Sequence, residues 1–201
     1  MLEEVASALR RNNFVAHIAA NRKEALQKAL SLIPEGATVG LGGSVTNQEI
    51  GLLAALREGN WRLIDQYEEG IGAEESMSRR RKGVVADVFV CGTNAVTKQG
   101  WLVNVDGIGN RVAGLIFGGK KVVVVVGRNK VVEDLDAAWE RIRRIAPRNA
   151  ARVGAPTPCA KDGVCHDCNS PRRICNIYVV LRRSLTPDRV HVILVDEDLG
   201  Y

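Results

Sequence analysis

Four of the five cysteines of the chain lie close together, at Cys159, Cys165, Cys168 and Cys175. The central pair is separated by two residues, which lets two sulfur atoms bind one metal centre from a single turn, and the outer pair completes four ligands. A run of four cysteines with one such pair favours a [4Fe–4S] cluster, because zinc ribbons more often contain two. A zinc ion remains the alternative, and a disulfide or an empty site is a third possibility.

These cysteines lie in the most basic part of the chain. Residues 141–183 contain ten basic and two acidic residues, a local net charge of +8, whereas the whole chain carries +5. Four thiolates leave a metal centre negatively charged, and the nearby Lys161, Arg172 and Arg173 would offset that charge. A solvated basic surface that faces an acidic partner protein would account for the same pattern.

Two further polar segments follow predicted strands and could bind an anion. The first contains Gly42, Gly43, Ser44 and Thr46. Its glycines let the backbone approach a ligand, and the following helix offers free N–H groups. Thr46 and Glu49 fit a capping box, so an ordinary capped turn explains this segment equally well. The second contains Arg128 and Lys130, cations that suit a phosphate or carboxylate, or that are simply solvated.

A third segment, after the predicted strand 84–91, is dense in groups that form hydrogen bonds. These are Asn94, Thr97, Asn104, Asp106, Asn110 and Arg111. Such groups are costly to bury unless they bind one another or a ligand. Asn94, Asp106 and Arg111 are therefore candidates for catalysis. Hydrogen bonds within the loop, including a pair between Asp106 and Arg111, would satisfy them as well.

Alternating apolar strands and amphipathic helices must position these segments. The pattern predicts an α/β fold with a mostly parallel sheet, helices on both faces and Val122–Val126 as a central strand. Ligands bind at the carboxyl ends of the strands in such sheets, so the three polar segments should lie there. We expect the helix that follows the Gly-Gly-Ser turn to reach about Arg57, and the helix from Asp134 to end before Pro147. Residues 1–201 should form one domain that includes a cysteine-rich segment, 151–176.

Composition excludes several classes of protein. With 46% hydrophobic and 25% charged residues, the chain can bury a core. Its longest apolar run, Val122–Val126, is too short to cross a bilayer, and the acidic start at Glu3 and Glu4 does not fit a signal peptide. We therefore expect a cytoplasmic protein without a membrane span. In that compartment clustered cysteines are more often metal ligands or redox groups than disulfides. The scarcity of aromatic residues argues against nucleic acid as a partner.

Taken together, the polar segments resemble those of the LUD (lactate utilisation) domain family. The similarity is carried by Gly42-Gly43-Ser44-x-Thr46, Asn94-Ala95-x-Thr97-x-x-Gly100, Asp106-Gly107-x-Gly109-Asn110-Arg111-Val112 and Gly127-Arg128-Asn129-Lys130, and it extends through Cys159 and Cys175 to Leu199-Gly200. It implies a fold like that of sugar-phosphate isomerases and CoA transferases. It also implies a link to systems that oxidise L-lactate through iron–sulfur proteins.

A more distant similarity to methylthioribose-phosphate isomerase does not carry its chemistry over. Asn94 stands where that isomerase has an aspartate, and an amide cannot accept a proton as a carboxylate does.

Two functional hypotheses follow. In the first, this is an electron-transfer protein that assists oxidation of L-lactate or a related hydroxy acid, with a four-cysteine [4Fe–4S] cluster, a small-anion pocket and an iron–sulfur redox partner protein. In the second, it is a non-redox binding protein or isomerase-type enzyme that takes a phosphosugar or a CoA ester and uses a structural zinc.

Overall fold

Strands and helices alternate along the chain in the computed structural model, which describes residues 1–201. The helices are α1 (Leu2–Arg11), α2 (Arg22–Ser31), α3 (Val45–Glu49), α4 (Leu52–Glu58), α5 (Ala73–Val84), α6 (Asn110–Ile116), α7 (Leu135–Arg152) and α8 (Pro158–Asp162). The strands are β1 (Val15–Ala19), β2 (Thr38–Leu41), β3 (Arg62–Ile64), β4 (Val88–Gly92), β5 (Ala95–Thr97), β6 (Leu102–Asp106), β7 (Lys121–Gly127), β8 (Val131–Val132), β9 (Ile177–Leu181) and β10 (Val190–Val195). None of the helices combines the length and the apolar character that crossing a bilayer requires.

The main sheet has six parallel strands in the order β1-β10-β7-β4-β2-β3. Because successive side chains of a strand point to opposite faces, the five valines of β7 divide between two cores. Val123 and Val125 pack on the face covered by α2 and α4, and Val122, Val124 and Val126 pack on the face covered by α1 and α6. The predicted α/β class is confirmed, with its parallel sheet, its helices on both faces and its central valine strand.

A second, smaller sheet lies over the α1 side of the main sheet. Its order is β8-β5-β6-β9, and β6 runs antiparallel to both of its neighbours. The polar residues around positions 92–97 predict a loop, but Ala95 and Val96 are fully buried in strand β5. Val96 packs into the core beneath, and Ala95 contacts the core under α7. Residues 95–97 therefore form a strand, although polar residues flank them, because their side chains are buried on both faces of the second sheet.

One predicted helix boundary is wrong, and one helix that ends near Arg57 as predicted is interrupted. Helix α7 continues through Pro147 to Arg152, because the burial of Pro147 and Ala150 against the rest of the molecule outweighs the backbone hydrogen bond that proline removes. The helix after the Gly-Gly-Ser turn is broken at Gly51, which adopts a φ of +78° and separates α3 from α4. Gly51 can adopt this left-handed conformation because it has no side chain.

Candidate functional site

The carboxyl ends of β2, β4 and β7 lie side by side, and the three polar segments that follow them meet at one cleft of about 580 Å³. We call it the basic cleft. Seven of the predicted ligand residues line it, namely Gly43, Ser44, Asn94, Asp106, Asn110, Arg111 and Lys130. The sheet topology thus brings together residues from three separate segments of the chain, 43–44, 94–111 and Lys130.

Five predicted ligand residues do not line the basic cleft, namely Gly42, Thr46, Thr97, Asn104 and Arg128. Thr97 and Asn104 are fully buried within the second sheet. Arg128 is directed away from the cleft, where its guanidinium pairs with Asp196 and Asp198 at 3.3 and 2.9 Å. The side chains of Thr97, Asn104 and Arg128 therefore do not contact a ligand in the cleft directly.

Thr46 was expected to cap the helix that starts at the Gly-Gly-Ser turn, and this expectation is wrong. The cap is Ser44, whose Oγ accepts a hydrogen bond of 3.2 Å from the Asn47 amide. Thr46 lies inside the helix and is fully buried. Its Oγ1 accepts a 2.7 Å hydrogen bond from Nζ of Lys130 and donates to the Leu199 carbonyl. Thr46 therefore supports a cleft residue from below.

Arg111 holds the wall of the basic cleft together. Its guanidinium donates to the carbonyls of Gly92 (3.1 Å) and Val105 (2.7 Å) and to the side-chain oxygens of Asn94 (2.9 Å) and Asn104. The predicted pair with Asp106 is only a long contact of 4.0 Å. The guanidinium of Arg111 is therefore occupied within the wall, and it is the donor that satisfies the side-chain oxygen of Asn104.

The other two candidate catalytic residues also have structural contacts. Asp106 accepts hydrogen bonds from the amides of Gly107 (2.8 Å) and Val112 (3.1 Å), which places its carboxylate at the start of α6. Asn94 accepts from the amide of Val105 at 2.9 Å as well as from Arg111, and it makes no hydrogen bond through Nδ2. This Nδ2 is therefore free to donate to a ligand.

Three arginines of the basic cleft were missed by sequence analysis. They are Arg80 of α5, Arg152 at the end of α7 and Arg172 of the cysteine segment. The basic run 79–82 was visible, but no local signal separates Arg80 from Arg79, which pairs with Glu68 and Glu75. Arg80 instead lies over the ring of Tyr67, 5.4 Å from its centroid. Five basic side chains and one carboxylate line the cleft, so its potential attracts anions.

Lys130 is the most buried cation of the cleft, with 6% of its surface exposed. Burial, followed by the charges of Arg141 and Arg111, lowers the pKa of Lys130 to about 7. Arg141 is itself buried and donates to the carbonyls of Asn129 (3.0 Å) and Asn94 (2.7 Å), which ties together the loops that follow β7 and β4. Burial lowers the pKa of Arg141 to about 10.

All four clustered cysteines line one small cavity of about 20 Å³, the cysteine cavity, next to the basic cleft. Ile174 borders both the cavity and the cleft. The four cysteines are partly buried and form no disulfide. Oγ1 of Thr157 lies 3.3 Å from the Cys159 sulfur, and the interaction with Cys175 raises the pKa of Arg173.

The chemistry of this donor set fits a four-thiolate metal centre, since both zinc and iron–sulfur clusters use such ligands. The side chains are not already arranged as one, because no three Cys, His, Asp or Glu side chains of the chain form a metal-binding group. The fifth cysteine, Cys91, is fully buried in the core, and this burial raises the pKa of its thiol to about 12.

Comparison with known proteins places this geometry in a family. No curated protein matches the chain. It is similar to the crystal structure of a DUF162 family protein from Deinococcus radiodurans, with 14% identity and a TM-score of 0.52 over 96% of this chain and 95% of that one, and the two share a fold. Two structures of ribose 5-phosphate isomerase A also match. The enzyme from Neisseria gonorrhoeae has 17% identity and a TM-score of 0.37 over 57% of this chain and 54% of that one. The enzyme from Methanocaldococcus jannaschii has 18% identity and a TM-score of 0.38 over 66% of each chain. The model of the LUD domain matches residues 2–195, which confirms the resemblance read from the polar segments, and the chain belongs to the LUD domain family.

Proposed function

We propose that this protein binds a small organic anion in the basic cleft and assists oxidation of L-lactate or a related hydroxy acid. The four clustered cysteines would hold a [4Fe–4S] cluster beside that cleft. The observation that carries the proposal is the adjacency of the two features. A cleft with five cations and one carboxylate shares Ile174 with a cavity that four cysteines line.

The lining of the basic cleft suits a carboxylate attached to a short carbon skeleton. Arg80, Arg152 and Arg172 form no ion pair with an acidic side chain. Arg152 uses Nε and Nη2 on Oδ1 of Asn149 (3.2 and 3.1 Å), and its Nη1 is available to a ligand, as are the donors of Arg80 and Arg172. Guanidinium groups bind carboxylates through two parallel hydrogen bonds. Ile145 and Ile174 provide apolar surface between the charged groups.

The cysteine residues would supply electron transfer when a cluster is bound, because iron–sulfur clusters accept and release single electrons. Oxidation of a hydroxy acid to an oxo acid releases two electrons and two protons. An iron–sulfur redox partner protein would receive those electrons. The contribution of this chain is to bind and orient the anion and, through Arg172 and Arg173, to offset the negative charge of the thiolates.

Anaerobic purification followed by quantification of iron, sulfide and zinc tests the metal centre. We expect iron and sulfide, a visible absorption band and an EPR signal on reduction. The double variant Cys165→Ser/Cys168→Ser should lose all of them, whereas Cys91→Ala, which removes a thiol of the distant core, should keep them. Stoichiometric zinc without iron after reconstitution would contradict the cluster.

Calorimetric titration with L-lactate and with other hydroxy acids tests the anion site. Arg80→Gln and Arg152→Gln should each weaken binding by about tenfold to a hundredfold, because one charge-assisted hydrogen bond contributes about 1.5–3 kcal/mol. Arg128→Gln is the matched control, since Arg128 pairs with acids outside the cleft. Equal affinity in all three variants would contradict the assignment.

A second candidate function is supported by the size of the cleft. A volume of about 580 Å³ is within the range of sites that hold ligands larger than lactate. If phosphosugars or CoA esters bind and hydroxy acids do not, and if the metal is zinc, the protein is a non-redox member of the family.

A further inference from the structure

Lys130 occupies an unusual position in the basic cleft. It ends a 3₁₀ turn (Arg128–Lys130) directly after β7 and lines the cleft although it is buried. Its Nζ donates to Thr46 Oγ1 at 2.7 Å. A Cβ on Gly200 would lie 3.0 Å from the same nitrogen, so the backbone of Gly200 packs against the amine. The amine is thus fixed in place.

The charges that face Lys130 disfavour an ammonium ion. Arg141 of α7 and Arg111 of α6 face it as cations, and Glu49 of α3 is the acidic group that opposes them. Glu49 is engaged elsewhere, since its Oε2 accepts a 2.6 Å hydrogen bond from the Gly200 amide, and Lys130 forms no ion pair. A buried cation without a counterion is costly, so the amine loses its proton readily and is partly neutral at neutral pH.

We propose that Lys130 is a nucleophilic amine that condenses reversibly with the carbonyl carbon of an anionic 2-oxo acid held in the basic cleft. Desolvation and neighbouring cations are the conditions that activate lysine amines for imine formation in proteins. The arginines of the cleft would bind the carboxylate of the ligand and present its carbonyl group. The inference deepens the proposed function, because a 2-oxo acid is what hydroxy-acid oxidation yields, and it rests on the anion site but not on the metal centre.

The step balances without any oxidant or reductant. The lone pair of Nζ attacks the carbonyl carbon, a C–N bond forms as the C=O π bond breaks, and the oxygen takes one of the two amine protons to become a hydroxyl group. Loss of that hydroxyl group with a second proton as water leaves the imine. Addition of water reverses the sequence and releases the oxo acid unchanged.

Borohydride trapping with pyruvate tests the proposal on the intact protein. The protein is incubated with pyruvate, reduced with sodium cyanoborohydride, digested and mapped by mass spectrometry. We expect one reduced pyruvate adduct per chain, located on Lys130. At pH about 7 the neutral fraction of Lys130 is on the order of a thousandfold larger than that of an ordinary lysine, so labelling of the other lysines should be minor.

Two variants sharpen the test. Lys130→Arg keeps a cation but cannot form an imine and should abolish the adduct. Lys121→Gln removes a lysine at the opposite end of β7, whose Nζ donates to the Leu32 carbonyl at 3.1 Å, and should leave the adduct unchanged. Site mapping on the wild-type protein decides the question even if a variant does not fold.

The outcomes separate this proposal from the proposed function. An adduct spread over exposed lysines, or no adduct on Lys130 while hydroxy acids still bind, would overturn the role of Lys130 alone. Trapping on Lys130 that persists in Cys165→Ser/Cys168→Ser supports it independently of any metal.

Discussion

At the scale of single residues, charged side chains of this protein divide into those that build the basic cleft and those that face a ligand. Arg111 builds it, since its donors are used by two carbonyls and two side-chain amides. Arg80 and Arg152 are less constrained and form no ion pair. The charge of a residue alone does not reveal which role it has, because the difference lies in the partners that the fold supplies.

Replacement of Arg111 by lysine should destabilise the protein although the positive charge is kept. A lysine cannot reach four acceptors with its single nitrogen, so Oδ1 of Asn104 would lose its donor and Oδ1 of Asn94 would keep only the Val105 amide. We expect a loss of about 2–4 kcal/mol in the free energy of unfolding, measured with urea. Arg128→Lys, at an exposed ion pair, should change it by less than about 1 kcal/mol. Similar losses in both would refute the structural role.

His17 of β1 and His191 of β10 form a stacked pair that should make stability depend on pH. Nε2 of His17 lies 3.1 Å from Nδ1 of His191, and His191 Nε2 donates to the Asp188 carbonyl. A hydrogen bond between the two rings needs one of the facing nitrogens, Nε2 of His17 or Nδ1 of His191, to be unprotonated, so the pair cannot form it with both rings protonated. Burial, followed by the charges of Lys28 and Arg10, lowers the pKa of His17 below 6.5. Burial also lowers the pKa of His191, and the charge of His17 adds to that effect.

The direction of the pH effect follows from those shifts. As the pH falls below 6.5 the unfolded chain takes up protons on these histidines before the folded chain does, so the free energy of unfolding falls until the lowered pKa values are reached. His17→Gln should flatten that decrease below pH 6.5 in urea titrations. An unchanged decrease in His17→Gln would show that other groups cause it.

At the scale of elements, local patterns predicted what is locally determined. The run Val122–Val126 is buried on both faces, and its uninterrupted β-branched composition predicts that burial. Strand β5 was missed because three residues are too few to show an alternation, and its burial depends on α7 far along the chain. The helix end predicted before Pro147 is wrong for a similar reason, because packing against the rest of the molecule keeps α7 helical beyond the proline. Arg80, Arg152 and Arg172 converge only in the folded chain.

The contact between α5 and β2 depends on Gly40. A Cβ on Gly40 would lie 2.0 Å from the carbonyl oxygen of Gly83, so the backbone of α5 can approach the sheet only because Gly40 has no side chain. Gly40→Ala should lower the free energy of unfolding by about 1–3 kcal/mol. Gly72→Ala, with no atom within 4 Å and an extended backbone, should stay within about 0.5 kcal/mol of the wild type. Equal effects would mean that α5 can shift away from β2.

At the scale of the whole molecule, a well-packed sheet carries a segment that has little core of its own. No residue from Pro158 to Asn176 is buried, and the net charge of +8 over residues 141–183 opposes compaction of this part of the chain. Strand β9 pairs with β6 directly after the segment and anchors its end. A metal–thiolate centre would supply the missing core and some of the missing negative charge.

Metal loading should therefore order the cysteine segment without altering the sheet. We expect limited proteolysis of the metal-free protein to cut between Cys159 and Cys175, and reconstitution with iron and sulfide or with zinc to suppress those cuts. Ligation that is present only in the folded state also stabilises it, by about 2.7 kcal/mol when free metal exceeds its dissociation constant a hundredfold.

In Cys165→Ser/Cys168→Ser the cuts should persist under every condition, whereas trapping of pyruvate on Lys130 should continue because the sheet that holds Lys130 is intact. Protection that appears equally in this variant would show that the four cysteines do not form the centre.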